Sequence, residues 1–487
     1  MGVWSRKSID TLKREADGGE RPALVRSLGV LNLTAFGVGN TIGAGIFVLT
    51  GTVAALHSGP AVTLSFVFAS LACFFAGLCY AEFAAMVPVA GSAYSYAYAT
   101  FGELIAWIIG WSIMLEYLFS ASVVAIGWSG YVTASLADLG LHLPAVLSGA
   151  PFKAGGGLHI VATGQWLNLP AVLITLACTA LLIIGTRQSA IVNSIIVGAK
   201  VLAILVLIAA CVKYVDPHNW QPFVPPNTGK FGDFGWTGVL RGAGIVFFAY
   251  IGFDGVSTLA EEARNPQRTM PLSLGFSLLI CTVLYVAVSL IITGIADYHQ
   301  LNVADPLYKA LSLAHADLSW LKVLVGIVAI FGLISVILLS LLGQIRIFYA
   351  MGRDGLLPAA LSRTNERFHT PHIGTIVTGV LSALTAGLVP LDLLGELISI
   401  GTLMAFAMVC GGIIILRRKS PELHRPFRAP WVPLIPGLGI FSCVALMIYL
   451  PADTWIRLIV WLGLGFVVYF GYGRHHSKMR GVSTPAR

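Results

Sequence analysis

Two segments of the sequence have a composition at odds with their setting. GVGNTIGAGIF, Gly37 to Phe47, places four glycines, an asparagine and a threonine inside an apolar run that reaches from Leu31 to Leu49. RGAGIVFFAYIGFDGVSTLAEE, Arg241 to Glu262, repeats the pattern with Gly242, Gly244, Gly252 and Gly255. A glycine costs about 1 kcal/mol in a helix interior, and unwound backbone in an apolar medium leaves peptide groups unpaired. Such a break is tolerated at membrane depth only where it lines a cavity. At a break the new half-helix starts with free N–H groups, which suit a carboxylate, and the old one ends in free carbonyls, which suit an ammonium. Two breaks side by side therefore fit a zwitterion, of which an α-amino acid is the simplest. The competing reading is that these glycines are small packing residues between helices.

Ionisable side chains within the apolar runs form the second set. Lys200, in NSIIVGAKVLAILVLIAACV, is the one basic residue in the middle of a run. A charge there is costly unless paired or neutralised, so it marks a functional site or else snorkels to the interface. Glu116, followed by Tyr117 in GWSIMLEYLFSASVV, is central in its run. It either faces a substrate side chain, attracting a cationic one, or is satisfied by its neighbours or kept protonated. Glu82, Asp254 and Arg346 lie nearer the ends of their runs and read as inner-gate partners or as interfacial anchors.

The elements that must position these residues are membrane spans. Of the 487 residues, 57% are hydrophobic and 11% charged, with a mean hydropathy of +0.84; a soluble domain carries about 25% charged residues. Apolar stretches near the bilayer-crossing length of about 20 residues number twelve: about 31–55, 61–87, 104–133, 167–185, 190–213, 237–260, 271–295, 319–349, 373–390, 392–416, 431–450 and 454–473. The first follows a polar segment, residues 1–30, so it does not read as a cleaved signal peptide. The fold expected is an all-α integral membrane protein. Of the 30 Lys and Arg, 22 fall on one set of connections if the N-terminus is cytoplasmic, which places both termini inside. The net charge of +8 then needs no nucleic-acid partner, although the basic segments suit anionic lipid. The seven cysteines lie in or beside apolar runs without CxxC spacing and read as small core residues. There is no HExxH, P-loop or nucleophile elbow, hence no enzyme, metal or cofactor is expected. A channel would need a continuous polar pore, whereas the polar positions cluster at two breaks; an amino-acid sensor remains a rival.

The first broken segment enters from the cytoplasm and the second, five crossings later, from outside. Paired, oppositely oriented interrupted helices point to an inverted-repeat transporter with its site at the breaks. Together GVGNTIGAGIFVLTG, FFAYIGFDGVSTLAEEARNPQRTMP, GQIRIFYAMGRDGLLP and LRRKSPELHRPFRAPWVPLIP resemble the amino acid–polyamine–organocation (APC) superfamily and, within it, bacterial members of the cationic amino acid transporter family. The likeness runs from KSIDTLKREA to the twelfth span.

The resemblance implies a LeuT-like 5+5 inverted-repeat fold with twelve transmembrane helices: a cytoplasmic tail 1–30, a first repeat 31–213, an outer loop 214–236, a second repeat 237–417, two added spans over 418–473 and a cytoplasmic tail 474–487. It implies that a substrate carboxylate meets N–H groups of Gly43, Ala44 and Gly45, and that its amino group meets carbonyls of Thr41, Ile42, Phe248, Ala249 and Ile251. Many relatives carry a hydroxyl residue where this chain has Ala44, so one contact is missing. It sets Leu333 near the substrate side chain, where a branched apolar residue shortens the pocket and suits small neutral amino acids beside cationic ones. Lys200 falls where sodium-driven members of the fold bind their ion, which favours proton coupling; a lysine that stays charged would suit facilitated diffusion or exchange. The expected protein is a secondary active L-amino acid transporter of the cytoplasmic membrane.

Overall fold

The computed structural model describes residues 28–86, 92–154, 160–184, 190–314, 318–365 and 370–478. Arg187, Arg367 and most of the two terminal tails, on which part of the charge argument rests, lie outside the described residues.

Helix α1, Val30–Thr41, stops where Ile42 turns extended (φ −73°, ψ 91°). Helical structure resumes through Gly45–Leu49, Thr50–Val53 and Ala54–Ser58, called α2 as a unit, of which the first and last parts are wide π turns. Gly59, at φ +58°, then reverses the chain, and α3, Val62–Met86, runs back. The whole stretch Val30–Met86 is 57 residues of helix-rich apolar chain, about 85 Å if straight, nearly three times a hydrocarbon core of about 30 Å. It must therefore fold back on itself.

A short helix α4, Ser92–Thr100, precedes α5, Glu103–Asp138. Helices α6 (Leu169–Ile184) and α7 (Ala190–Cys211) complete the first half of the chain. Helix α8, Gly235–Val246, tightens into a 3-10 turn at Phe247–Tyr250 and breaks at Ile251 (φ −60°, ψ 135°) and Gly252 (φ +110°). The chain continues as a 3-10 arm, Asp254–Glu262. Then follow α9 (Pro266–Ile295), α10 (Pro306–Leu313), α11 (Ser319–Arg353), α12 (His372–Leu388), α13 (Leu391–Lys419), α14 (Leu434–Tyr449) and α15 (Ala452–Val468). Pro266 and Pro306 sit at the first position of their helices, where the missing N–H costs nothing.

Among the described residues, eight helical stretches are long and apolar enough to cross a membrane, and α6, α12 and α14 are shorter apolar helices. Side chains such as Leu173, Ile195, Phe331, Phe441 and Val467 are exposed on their outer faces, as a lipid-facing surface requires. All seven cysteines are free and buried, as their setting in the sequence predicts.

Three features lie outside the twelve expected spans. Helices α4 and α10 lie in connections between them, and a small antiparallel hairpin, Phe152–Ala154 with Ile160–Ala162, occupies part of the connection 134–166. The beginning of the expected cytoplasmic tail, residues 474–478, packs back on the body through Lys478 and Ser477. Helix α1 itself is clasped between α7 and α9, and α5 packs most extensively on α11.

Candidate functional site

The two breaks meet. A Cβ added at Gly45 would lie 2.2 Å from Ala249 Cα, so the turn after the first break rests directly on the backbone of the second. Only glycine permits that approach. A Cβ at Gly43 would meet the Val336 methyls at 3.2 and 3.4 Å, so α11 walls the same turn with an apolar side chain. At the start of a helix the leading N–H groups have no preceding turn to bond, and Gly43, Ala44 and Gly45 supply that position here. Asn40 Nδ2 donates to Gly252 O at 3.0 Å, lashing the end of α1 to the second break. Asp254 Oδ1 accepts from Gly252 N at 3.3 Å and stiffens the break from below.

Four of the five carbonyls named for an amino group, those of Thr41, Ile42, Phe248 and Ala249, already accept a hydrogen bond. Tyr285 of α9 directs its hydroxyl at both Thr41 O and Ala249 O, each at 2.8 Å. Lys200 Nζ donates to Gly39 O at 3.0 Å and to Ile42 O at 3.2 Å. Phe248 O accepts from Ile251 N at 3.1 Å. The reason is general: buried backbone carbonyls take a donor wherever one can reach them. Each carbonyl keeps a second lone pair, and the single proton of Tyr285 cannot serve two acceptors fully.

Lys200 is 1% exposed, and its reach across to α1 depends on Gly332, where a Cβ would fall 2.7 Å from Lys200 Cε. Leu333, the next residue, is fully buried; the α11 side chain facing Gly43 is Val336, one turn further on. Glu116 is buried, with Oε2 accepting from Thr402 Oγ1 of α13 at 2.8 Å and Oε1 lacking a hydrogen-bond partner among the described residues. A cavity of about 60 Å³ lies beside α1, lined by Phe36, Asn40, Tyr117, Gly255, Leu339 and Arg346 among others. Tyr117, rather than Glu116, is the residue of that pair on its wall.

Glu82 is committed elsewhere than to Arg346. Its carboxylate is gripped by Arg417 Nε and Nη2 at 3.0 and 2.6 Å, by the Ala429 N–H at 2.7 Å, and by Arg425 at 3.4 Å. That cluster ties α3 to the end of α13 and the chain after it.

On the opposite side of the breaks from the cavity, Glu396 of α13 stands between two arginines. Arg241 Nη2 of α8 is 3.7 Å away and Arg457 Nη1 of α15 is 3.5 Å away, and Thr454 donates to it at 2.7 Å. Sequence reasoning passed over Tyr285, Gly332, Val336, Glu396 and Arg417, and counted Asn40 only as a polar residue of the first break. Tyr285 and Asn40 are detectable as lone polar residues in apolar runs; the others owe their position to contacts between distant segments.

Two interrupted helices crossing at unwound backbone inside an apolar helical body define a multi-pass membrane transporter rather than an enzyme. Comparison with known proteins agrees. Residues 28–470 match the amino acid permease family. The branched-chain amino acid permease BcaP of Bacillus subtilis (strain 168) is 47% identical over 98% of this chain and 99% of its own length. The methylthioribose transporter of the same organism is 42% identical over 98% and 99%. Cationic amino acid transporter 4 of Homo sapiens is 30% identical over 97% and 91%. The chain belongs to the amino acid permease family of the APC superfamily.

Proposed function

We propose that this permease is a secondary active transporter that moves L-amino acids across the cytoplasmic membrane by alternating access, with twelve spans, both termini cytoplasmic, and inverted repeats at 31–213 and 237–417. The observation that carries the reading is the contact of Gly45 with Ala249, which sets N–H groups of one break beside carbonyls of the other. Gly43, Ala44 and Gly45 hold the substrate carboxylate; Thr41, Ile42, Phe248, Ala249 and Ile251 offer second lone pairs to its ammonium.

The substrate class favoured is neutral and apolar, of branched-chain size. The support is the apolar wall at Val336, the buried Leu333, and the 47% identity to a protein named as a branched-chain amino acid permease. Transport is coupled to protons through Lys200, whose ammonium braces α7 against α1 at Gly39 and Ile42. Loss of its proton frees those carbonyls and loosens α1, which lets the cavity side open further. The Arg241–Glu396–Arg457 cluster closes the other side meanwhile. Asp254 and Arg346 act at the cavity side as gate residues. Glu82 belongs to a fixed joint.

The test is ligand-dependent thermal stability of the purified protein against the twenty amino acids and methylthioribose, since a ligand that binds the folded state raises its melting temperature. Isoleucine, leucine or valine should stabilise most. Stabilisation by methylthioribose alone would overturn the zwitterion site, and a preference for arginine would move the substrate class toward Glu116.

A further inference from the structure

Beyond α15 the chain turns through Tyr469–Gly473 and Arg474–His476 and returns to the body. Tyr469 is fully buried and donates to Glu103 Oε1 at 2.8 Å. Ser477 is 5% exposed and donates to Glu103 Oε2, which also receives Tyr98 of α4 at 3.0 Å. Glu103, the first residue of α5, is 1% exposed, so its buried carboxylate depends on these hydroxyls. The Lys478 N–H donates to Asp354 O at 3.1 Å, while Asp354 Oδ2 accepts from Tyr94 of α4 at 2.7 Å. Gly355, at φ +81°, leaves room for the His476 carbonyl, which a Cβ would meet at 2.2 Å.

The segment thus joins three elements on the cavity side: α4, the start of α5, and the connection after α11. Two of them lead to the breaks. Helix α4 packs on the Asp254–Glu262 arm, and its Tyr96 meets Tyr80 edge-on at 6.4 Å, which meets Phe253 at 6.3 Å, next to Gly252. Asp354 follows the cavity-lining Arg346 by eight residues, about 12 Å along α11.

We infer that Tyr469–Lys478 is a strap that sets the balance between the two access states. Docked, it holds α4, α5 and the α11 connection in the arrangement that contains the cavity. Released, it leaves Glu103 short of donors and lets that face rearrange, so the population moves to the form closed on this side. The inference rests on the alternating-access reading. Removing one hydrogen bond to a buried charged group shifts a two-state ratio by about tenfold.

The experiment introduces Leu339→Cys as a probe in the cavity wall of the full chain and follows its reaction with a maleimide; the seven native cysteines are buried. Ser477→Ala and Tyr469→Phe should each slow labelling at 339, by up to about tenfold, with no new labelling of the native cysteines. Labelling at 339 within a factor of about two of the parent in both variants, on this same tenfold scale, would overturn the strap. Faster labelling at 339 together with the native cysteines would also overturn it, showing general loosening. Saturating L-isoleucine should change the parent's labelling rate; a parent insensitive to it overturns alternating access and the strap with it, whereas a responsive parent with unresponsive variants overturns the strap alone.

Discussion

At the scale of single residues, the crossing of the breaks turns on two glycines with different neighbours. Gly45 faces backbone, which cannot yield, while Gly43 faces the end of a valine side chain, which can. Gly45→Ala should therefore weaken amino-acid binding by at least about fivefold, the low end of an overpacking cost of about 1–3 kcal/mol, and Gly43→Ala by much less, both measured by ligand-dependent thermal shift. Equal losses would remove the distinction between them. Leu333→Ser should widen the accepted range toward longer or cationic amino acids, read as competition against labelled isoleucine; an unchanged range would assign the limiting role to Val336. Both glycines were legible in the sequence because a glycine cluster in an apolar run weakens the helix and persists only where the chain breaks or packs closely. Val336 was not, since a valine in a membrane helix carries no signal until the packing shows what it faces.

At the scale of elements, α9 contributes a single hydroxyl to both breaks. Removing it with Tyr285→Phe leaves Thr41 O and Ala249 O under-bonded, at a cost of about 1–3 kcal/mol. The variant should melt earlier than the parent, yet gain more from bound isoleucine, whose ammonium then supplies the missing donor. A smaller gain would mean that Tyr285 orients the substrate rather than standing in for it. Gly332→Ala should act through a neighbour, displacing Lys200 from Gly39 and Ile42; it should lower proton-driven accumulation while leaving exchange of substrate for substrate. The positions of the breaks were readable from composition, but their form was not. The π turns of Gly45–Leu49 and the 3-10 arm Asp254–Glu262 arise from how the chain satisfies its peptide groups once neighbours are in place. Likewise Glu82 was visible as an acid near the end of an apolar run, but its partners Arg417 and Arg425 lie more than 300 residues away in sequence, beyond any local pattern.

At the scale of the whole molecule, the alternation of apolar runs with basic connections carried the membrane class without ambiguity, because a chain with 11% charged residues cannot cover itself with a polar surface. The connections were less legible: α4, the hairpin at Phe152–Ala154 and the return of the chain to Glu103 depend on surfaces that exist only after folding. In the proposed cycle a substrate is held at the crossing and Lys200 senses the proton gradient. Purified protein in sealed vesicles, given an inward proton gradient and labelled L-isoleucine, tests that cycle most directly, with Lys200→Met and Gly45→Ala beside the parent. The parent should show saturable uphill uptake, Lys200→Met exchange without accumulation, and Gly45→Ala neither. Equal uphill uptake by the parent and both variants would contradict the cycle.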